Sequence, residues 1–221
     1  MIMPVVRTKP NQVIVDIDTQ RHFFAKNSFI CVKDHRRVLG NILRLINWAQ
    51  RSNIPRISTV QVIDHDHCPC PSCIAARLGQ RKVGFTIRGS HTSFDATDCT
   101  DIMPGILEQY EQLIFQKRCF DPFEEPRVDR TLTELKADEF ILIGAAAEGA
   151  VKATAAGLLA RGKNVTIISD ATGAYDRNMG RLVLRVLSER GAKVIDTETF
   201  LESQRRQQTN IFRIDWQYQL A

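Results

Sequence analysis

Chemistry in this chain can be built from Asp18, Lys117 and the run Gly144-Ala-Ala-Ala-Glu-Gly-Ala150-Val-Lys-Ala-Thr-Ala155. An aspartate holds or moves a proton. A lysine beside it holds the carboxylate ionised and stabilises developing negative charge. The glycine-containing run follows the apolar Phe140-Ile-Leu-Ile-Gly144 and opens a helical pattern that reaches Arg161-Gly162. A strand, a tight turn and a helix start aim backbone N–H groups and a positive helix end into the space above a sheet. A cysteine at the head of that helix would be a depressed-pKa nucleophile beside an oxyanion hole. The position is Ala150 instead, and a methyl group cannot attack a carbonyl.

The segment resembles the thiol turn of the isochorismatase-like, or cysteine hydrolase, family, which reads roughly G-v-a-t-[DE]-x-C-V-x-x-T-A. Gly144, Glu148, Val151, Thr154 and Ala155 match in register, and the cysteine position falls on Ala150. Ile17-Asp18-Thr19-Gln20-Arg21-His22-Phe23 is similar to the family's I-D-x-Q-x-x-F, and Lys117-Arg-Cys-Phe-Asp-Pro-Phe123 to its K-x-x-x-x-x-F. Val165-Thr-Ile-Ile-Ser-Asp170-Ala171 looks like its v-t-v-v-x-D-A strand. The resemblance spans about residues 12 to 200. It implies an Asp18–Lys117 pair facing Ala150, ligand contacts from Phe23, Phe123 and Ala146, and a cis peptide between Ala145 and Ala146. Gln20 either contacts ligand or fixes its own loop. Family members include amidases that need the thiol, and isochorismatases, which lack it and cleave a vinyl ether with water and the aspartate. Loss of the thiol therefore excludes one chemistry and leaves another open. Cys119 is the nearest substitute by sequence, but it approaches from a different strand with no helix start behind it.

A second constellation lies in Asp64-His65-Asp66-His67-Cys68-Pro69-Cys70-Pro71-Ser72-Cys73. Cys68, Cys70, Cys73 and His67 offer a tetrahedral zinc set. The other reading is a loop of reduced thiols. Cys73-Ile-Ala-Ala-Arg-Leu-Gly79-Gln-Arg-Lys82 also resembles a family segment whose cysteine need not bind metal. The D-x-H pattern of the nicotinamidase metal site is missing here, so no catalytic metal is expected. No other cofactor is implied. His22 and His91 are candidates for the crevice mouth.

The elements that must position these residues are legible from periodicity. Val13-Ile-Val-Asp-Ile17 reads as a strand buried on both faces. Val38, Ile42, Leu45, Ile46 and Ala49 follow at helical spacing behind a cap at Asp34, with Trp48 in the core. Further strands are expected at Arg56–Val62, Leu113–Gln116, Phe140–Gly144, Asn164–Ser169 and Ala192–Ile195. Helices are expected at Thr131–Lys136, Glu148–Arg161 and Asp176–Arg190, and residues 63 to 100 read as an excursion over the sheet. Strand–helix alternation implies an α/β/α three-layer sandwich with a mostly parallel, six-stranded sheet, the isochorismatase-like hydrolase fold. Ligands in such sheets bind beyond the strands' carboxyl ends. Asp18, Lys117 and Ala150 all lie just past strand ends, so they converge independently of the resemblance.

At 221 residues the chain fits one α/β domain, read as 1–203, with an extension at 204–221. In that extension Phe212, Ile214, Trp216, Tyr218 and Leu220 alternate with polar residues, a strand-like stripe suited to packing on a second subunit. The net charge of +5 is scattered, so a solvated basic surface is expected rather than a nucleic-acid interface. No apolar run approaches the roughly 20 residues of a membrane helix. The first residues carry no secretory h-region. Six cysteines make no disulfide framework in a chain this long, which places the protein in the cytoplasm with reduced thiols. The leading functional expectation is a family homologue that keeps a small-molecule pocket without thiol chemistry. The alternatives are a cysteine-independent hydrolase of a small anionic metabolite, with Asp18 as general acid and Lys117 as its electrostatic partner, and a structural or interaction protein.

Overall fold

The computed structural model describes residues 11–62 and 78–207. Seven strands form one parallel sheet: β1 (Gln12–Ile17), β2 (Arg56–Gln61), β3 (His91–Phe94), β4 (Gln112–Lys117), β5 (Glu139–Ala145), β6 (Val165–Gly173) and β7 (Lys193–Ile195), in the order β3-β4-β2-β1-β5-β6-β7. The expected count was six. The added strand, β3, lies in the stretch read as an excursion. It is four residues long, sits at the sheet edge and is exposed on alternate residues. Such a segment carries almost no periodic signal.

The described residues include the helices α1 (Arg21–Phe24), α2 (His35–Arg51), α3 (Ile106–Gln109), α4 (Pro126–Glu134), α5 (Lys152–Ala160) and α6 (Arg177–Glu189), with helical residues also at 78–80 and 197–207. Helix α4 starts earlier than its apolar spacing suggests, because Pro126 opens it. Asp176 caps α6 as its sequence implies, accepting from the N–H groups of Asn178 and Met179. Asp34 stands at the start of α2 but does not cap it. Its φ is +53°, and its carboxylate is engaged by Arg177 instead.

Both sheet faces are buried, which explains the unbroken apolar runs of β1 and β5. On one face Val13, Val15, Ile17, Ile57, Leu113, Phe115 and Leu142 pack with α4, α5 and α6. On the other, Ile14, Ile141, Ile143 and Ile168 pack against α2, and Trp48 meets Phe200 edge-on at 4.9 Å.

Strand order reverses direction at β1, with β2 on one side and β5 on the other. The crevice above that point is where parallel α/β sheets bind ligands. Gly144 closes β5 onto β1 there. Its φ is +122°, and a Cβ at this position would lie 1.9 Å from the Ile17 carbonyl oxygen. No side chain fits. Gly144→Ala is expected to cost at least about 4 kcal/mol, or to prevent folding. Urea denaturation and soluble yield check this; a loss below about 1 kcal/mol would mean that the two strand ends separate at little cost.

Candidate functional site

Period-2 alternation would send Asp16 and Asp18 to the same face of β1. They go to opposite faces. Asp16 stays on the α2 face, where Ser58 donates to it at 3.1 Å. Asp18 lies one residue past the strand with φ +45°, a left-handed conformation that aspartate tolerates better than most residues. That turn swings its carboxylate to the other face. Thr59 donates to Asp18 Oδ1 at 2.6 Å, and Lys117 Nζ lies 2.7 Å from Oδ2. Lys117 ends β4 and also donates to the Cys119 carbonyl at 3.0 Å. Asp18 and Lys117 are both fully buried, with 0% of their surface exposed. Asp18 Oδ2 nonetheless makes no aligned hydrogen bond.

The turn after β5 stands beside this pair, since Ile17 registers with Gly144. The Ala145–Ala146 peptide is cis, as the resemblance implied. The backbone then makes a wide turn over Ala147–Val151, broken at Gly149, before α5 begins. This replaces the single helix expected from Glu148 to Arg161. The Ala146 carbonyl accepts from the N–H groups of Gly149 and Val151 at 3.1 and 3.2 Å. Ala150 is buried, 2% exposed, and Thr154 donates to its carbonyl. Glu148 accepts from the N–H groups of Tyr175 and Asp176, tying the turn to the loop after β6.

The remaining candidates separate. Gln20 fixes its own loop: its amide donates to the carbonyls of Gln61 and Gln80 at 2.8 and 2.6 Å, and its oxygen accepts from Gln61 N–H. Phe23 is buried in the α2-side core, with its ring 4.2 Å from His22 and 6.3 Å from Tyr175. Ala146 is buried in the same core. Phe123 is not turned to the crevice. It fills a slot over Gly157 of α5, with the Arg161 guanidinium 3.8 Å above its ring. The aromatic beside the turn is Phe120, over Gly149 and 59% exposed. His91 belongs to the opposite end of the sheet, because it registers with Gln112 at the start of β4. Cys68, Cys70, Cys73 and His67 lie outside the described residues. Among the described residues no group of three His, Cys, Asp or Glu side chains is placed to hold a metal.

Cys119 is not an activated thiol. A hydrogen bond with Glu124, then burial, raises its pKa, so less thiolate is present. The Tyr175 phenol, a residue that carried no sequence signal, is pushed up to about 12 by burial and then by Glu148 and Asp18. Its hydroxyl stays protonated as a donor within the field of Asp18.

Sequence reading also missed a second buried ion pair. Lys82 Nζ lies 2.7 Å from Asp16 Oδ2, with the two side chains 4% and 0% exposed. Asp16 accepts a further, short hydrogen bond from the Thr19 hydroxyl. Segment 80–83 reaches Asp16 by lying antiparallel over the end of β1: Arg21 N–H donates to the Arg81 carbonyl, and Val83 N–H to the Thr19 carbonyl. The signal existed, since a lone carboxylate inside a doubly buried strand requires a cation.

The fold defines the class first: an α/β/α protein with a parallel sheet and a buried acid–lysine pair beyond its strand ends. The isochorismatase domain model matches residues 12–199, and the chain belongs to that family. A search of curated proteins finds no match. Among solved structures, the MAR1 ribonuclease of Caenorhabditis elegans is 22% identical over 88% of this chain and 81% of its own, with a TM-score of 0.61. The nicotinamidase PncA of Bacillus subtilis is 17% identical over 84% and 99%, with a TM-score of 0.62. A cysteine hydrolase of Pseudomonas syringae pv. phaseolicola 1448A is 16% identical over 91% and 97%, with a TM-score of 0.68. At these identities the likeness is one of fold.

Two outcomes follow from the buried charges. Lys82→Met strands Asp16 in the core and is expected to cost about 3–5 kcal/mol, while Asp16→Asn added to it recovers most of the loss. Chemical denaturation of the four-member cycle checks this, and simple additivity would refute the pairing. The second concerns His22, whose pKa burial lowers, against the opposing pull of the Gly79 backbone and Asp18. An unfolded histidine titrates near 6.5. Below that pH the unfolded chain binds a proton that the folded chain resists, so stability falls as pH drops. Between about pH 7.5 and pH 5.5 the wild type should lose more stability than His22→Gln. Equal losses in urea titrations would show that His22 is not the group responsible.

Proposed function

We propose that this chain binds a small molecule in the crevice above β1, β4 and β5 and does not hydrolyse amides through a thiol. The observation that carries the proposal is Ala150, a buried methyl where the family pattern places its nucleophile. The described thiols, Cys31, Cys99 and Cys119, lie on other segments, and none follows β5. The rest of the crevice favours a polar ligand. A buried ion pair costs several kcal/mol of desolvation per ion and tolerates only well-matched neighbours. Both oxygens of Asp18 are held by the protein, Oδ1 by Thr59 and Oδ2 by Lys117 at 2.7 Å, so the carboxylate is fixed in place beside the turn after β5.

The buried Asp18–Lys117 pair favours a second reading, with Asp18 as general acid: it takes a proton from water and passes it to the carbon of a ligand such as a vinyl ether, and the hydroxide left adds to the oxocarbenium carbon. Lys117 balances the carboxylate once its proton has gone. Either way the partner is a small molecule. Assembly into a homo-oligomer through residues 204–221 belongs to the same proposal, as does a cytoplasmic location. No helix among the described residues is long and apolar enough to cross a membrane.

The wild type should be inactive on nicotinamide and other simple amides. Ala150→Cys should gain one additional adduct with iodoacetamide by mass spectrometry, and a slow amide hydrolysis that the reagent abolishes. Robust amidase activity in the wild type would overturn the proposal. For the second reading, hydrolysis of a vinyl ether should vanish in Asp18→Asn and survive Ala150→Ser.

A further inference from the structure

A concavity lies beside the turn after β5, with Ala147 in its lining. It has a volume of about 320 Å³ and opens between the start of α2, the end of β6 and the first turns of α6. None of Asp18, Lys117 and Ala150 lines it. Its floor includes the buried residues Val38, Ala147 and Thr172. Its walls carry four cations, Lys33, Arg37, Arg177 and Arg181, and two carboxylates, Asp34 and Asp170.

Asp34 is ion-paired and Asp170 is hydrogen-bonded, which leaves the four cations in excess of the two carboxylates. Asp34 takes two hydrogen bonds from Arg177, at 2.7 and 2.9 Å, and is 3.7 Å from Arg37. Asp170 accepts from the N–H and hydroxyl of Thr197 at 2.8 and 2.6 Å, fastening the helix at 197–207 to β6. Lys33 and Arg181 have no carboxylate within ion-pair reach among the described residues, and Arg37 has only a long contact with one that Arg177 holds. Positive charge gathered around a concavity with a buried floor raises the local potential more than the same charge on a convex surface. Nor are the walls loose. The Asp34–Arg177 fork joins α2 to α6, Lys33 N–H donates to the Ala174 carbonyl at 2.7 Å, and Gly180 packs against Ala174 where a Cβ would lie 2.5 Å away.

We infer that this cleft is an anion site for a phosphate-bearing small molecule, held by Lys33, Arg37 and Arg181 against the fixed Asp34–Arg177 fork. Guanidinium groups match the oxygen geometry of phosphate, and an ammonium adds a point charge. The volume lies at the lower end of the range for small-ligand pockets, which suits a phosphate carrying a small organic group.

Isothermal titration calorimetry of the full chain at constant ionic strength tests this with inorganic phosphate, pyrophosphate and glycerol 3-phosphate. At least one should bind with a dissociation constant below about 1 mM, equivalent to roughly 4 kcal/mol. Lys33→Gln/Arg181→Gln should weaken it at least tenfold without lowering the melting temperature. Arg190→Gln, the same kind of charge change at the far end of α6, should leave it unchanged. Tighter binding of glycerol 3-phosphate assigns the cleft to a phosphate ester, and tighter binding of inorganic phosphate or pyrophosphate to the free anion. No binding by any probe at 10 mM would overturn the site, as would equal weakening by Arg190→Gln and by the double variant. The crevice readings would stand in either case, because they predict nothing about phosphate.

Discussion

The fold turns on how the end of β1 disposes of two carboxylates in a strand buried on both faces. Asp16 and Asp18 are 0% exposed, and neither can stay ionised there without a cation and hydrogen bonds. The left-handed residue at position 18 sends them to opposite sides. Asp18 reaches Lys117 two strands away, through Thr59 on the strand between. Asp16 reaches Lys82 on a segment folded back over the strand end. Charge balance therefore pins four pieces of chain to one point: β1, β2, the end of β4 and the 80–83 segment. Removing one partner would leave a bare buried ion, which is far more costly than never having had the pair.

This arrangement stands independently of the side chain at position 150, which is a methyl. The Asp18–Lys117 pair does not depend on Ala150 for any bond. Nor does the turn after β5, whose shape is set by the contact of Gly144 with Ile17, the double acceptance at the Ala146 carbonyl and the Glu148 bridge to the Tyr175 loop. A sulfur at position 150 would add reactivity to a frame already complete. The frame is thus a poor guide to the chemistry, and family membership by fold leaves the reaction open.

What the sequence made legible divides along the same line. Strands β1, β5 and β6 and helices α2 and α6 show as apolar runs or helical stripes because each is buried along a continuous face. The convergence of Asp18 and Lys117 was readable because both sit where strands end. Features decided by tertiary contact were not. Phe123 matched a family position, yet Gly157 opens a slot for it on α5, and Phe120 takes the place beside the turn. Asp34 has the residue type and position of a cap, but Arg177 is 143 residues away in sequence and outcompetes the local N–H groups. Strand β3 is short, polar and exposed on alternate residues, so its pairing with β4 leaves no mark in composition.

The turn at 146–151 stands between the basic cleft and the buried Asp18–Lys117 pair. Ala147 lines the basic cleft, and Ala150 stands at the head of α5, next to the sheet's switch point. Glu148, between them, holds the N–H groups of Tyr175 and Asp176, and Asp176 in turn caps the helix that carries Arg177 and Arg181. Tyr175 brings its protonated phenol back toward Asp18. A continuous set of hydrogen bonds, largely at the surface, thus runs from the helix that carries the cleft's cations, through the cap of α6, to Glu148 in the turn. Such a chain carries no coupling of its own accord; it does so only if a ligand favours one of two arrangements of the turn. The close fit of Gly144 and the 0–4% exposure of Ala145, Ala146 and Ala147 leave little room for a second arrangement, which argues for two sites sharing one rigid wall rather than a switch between them.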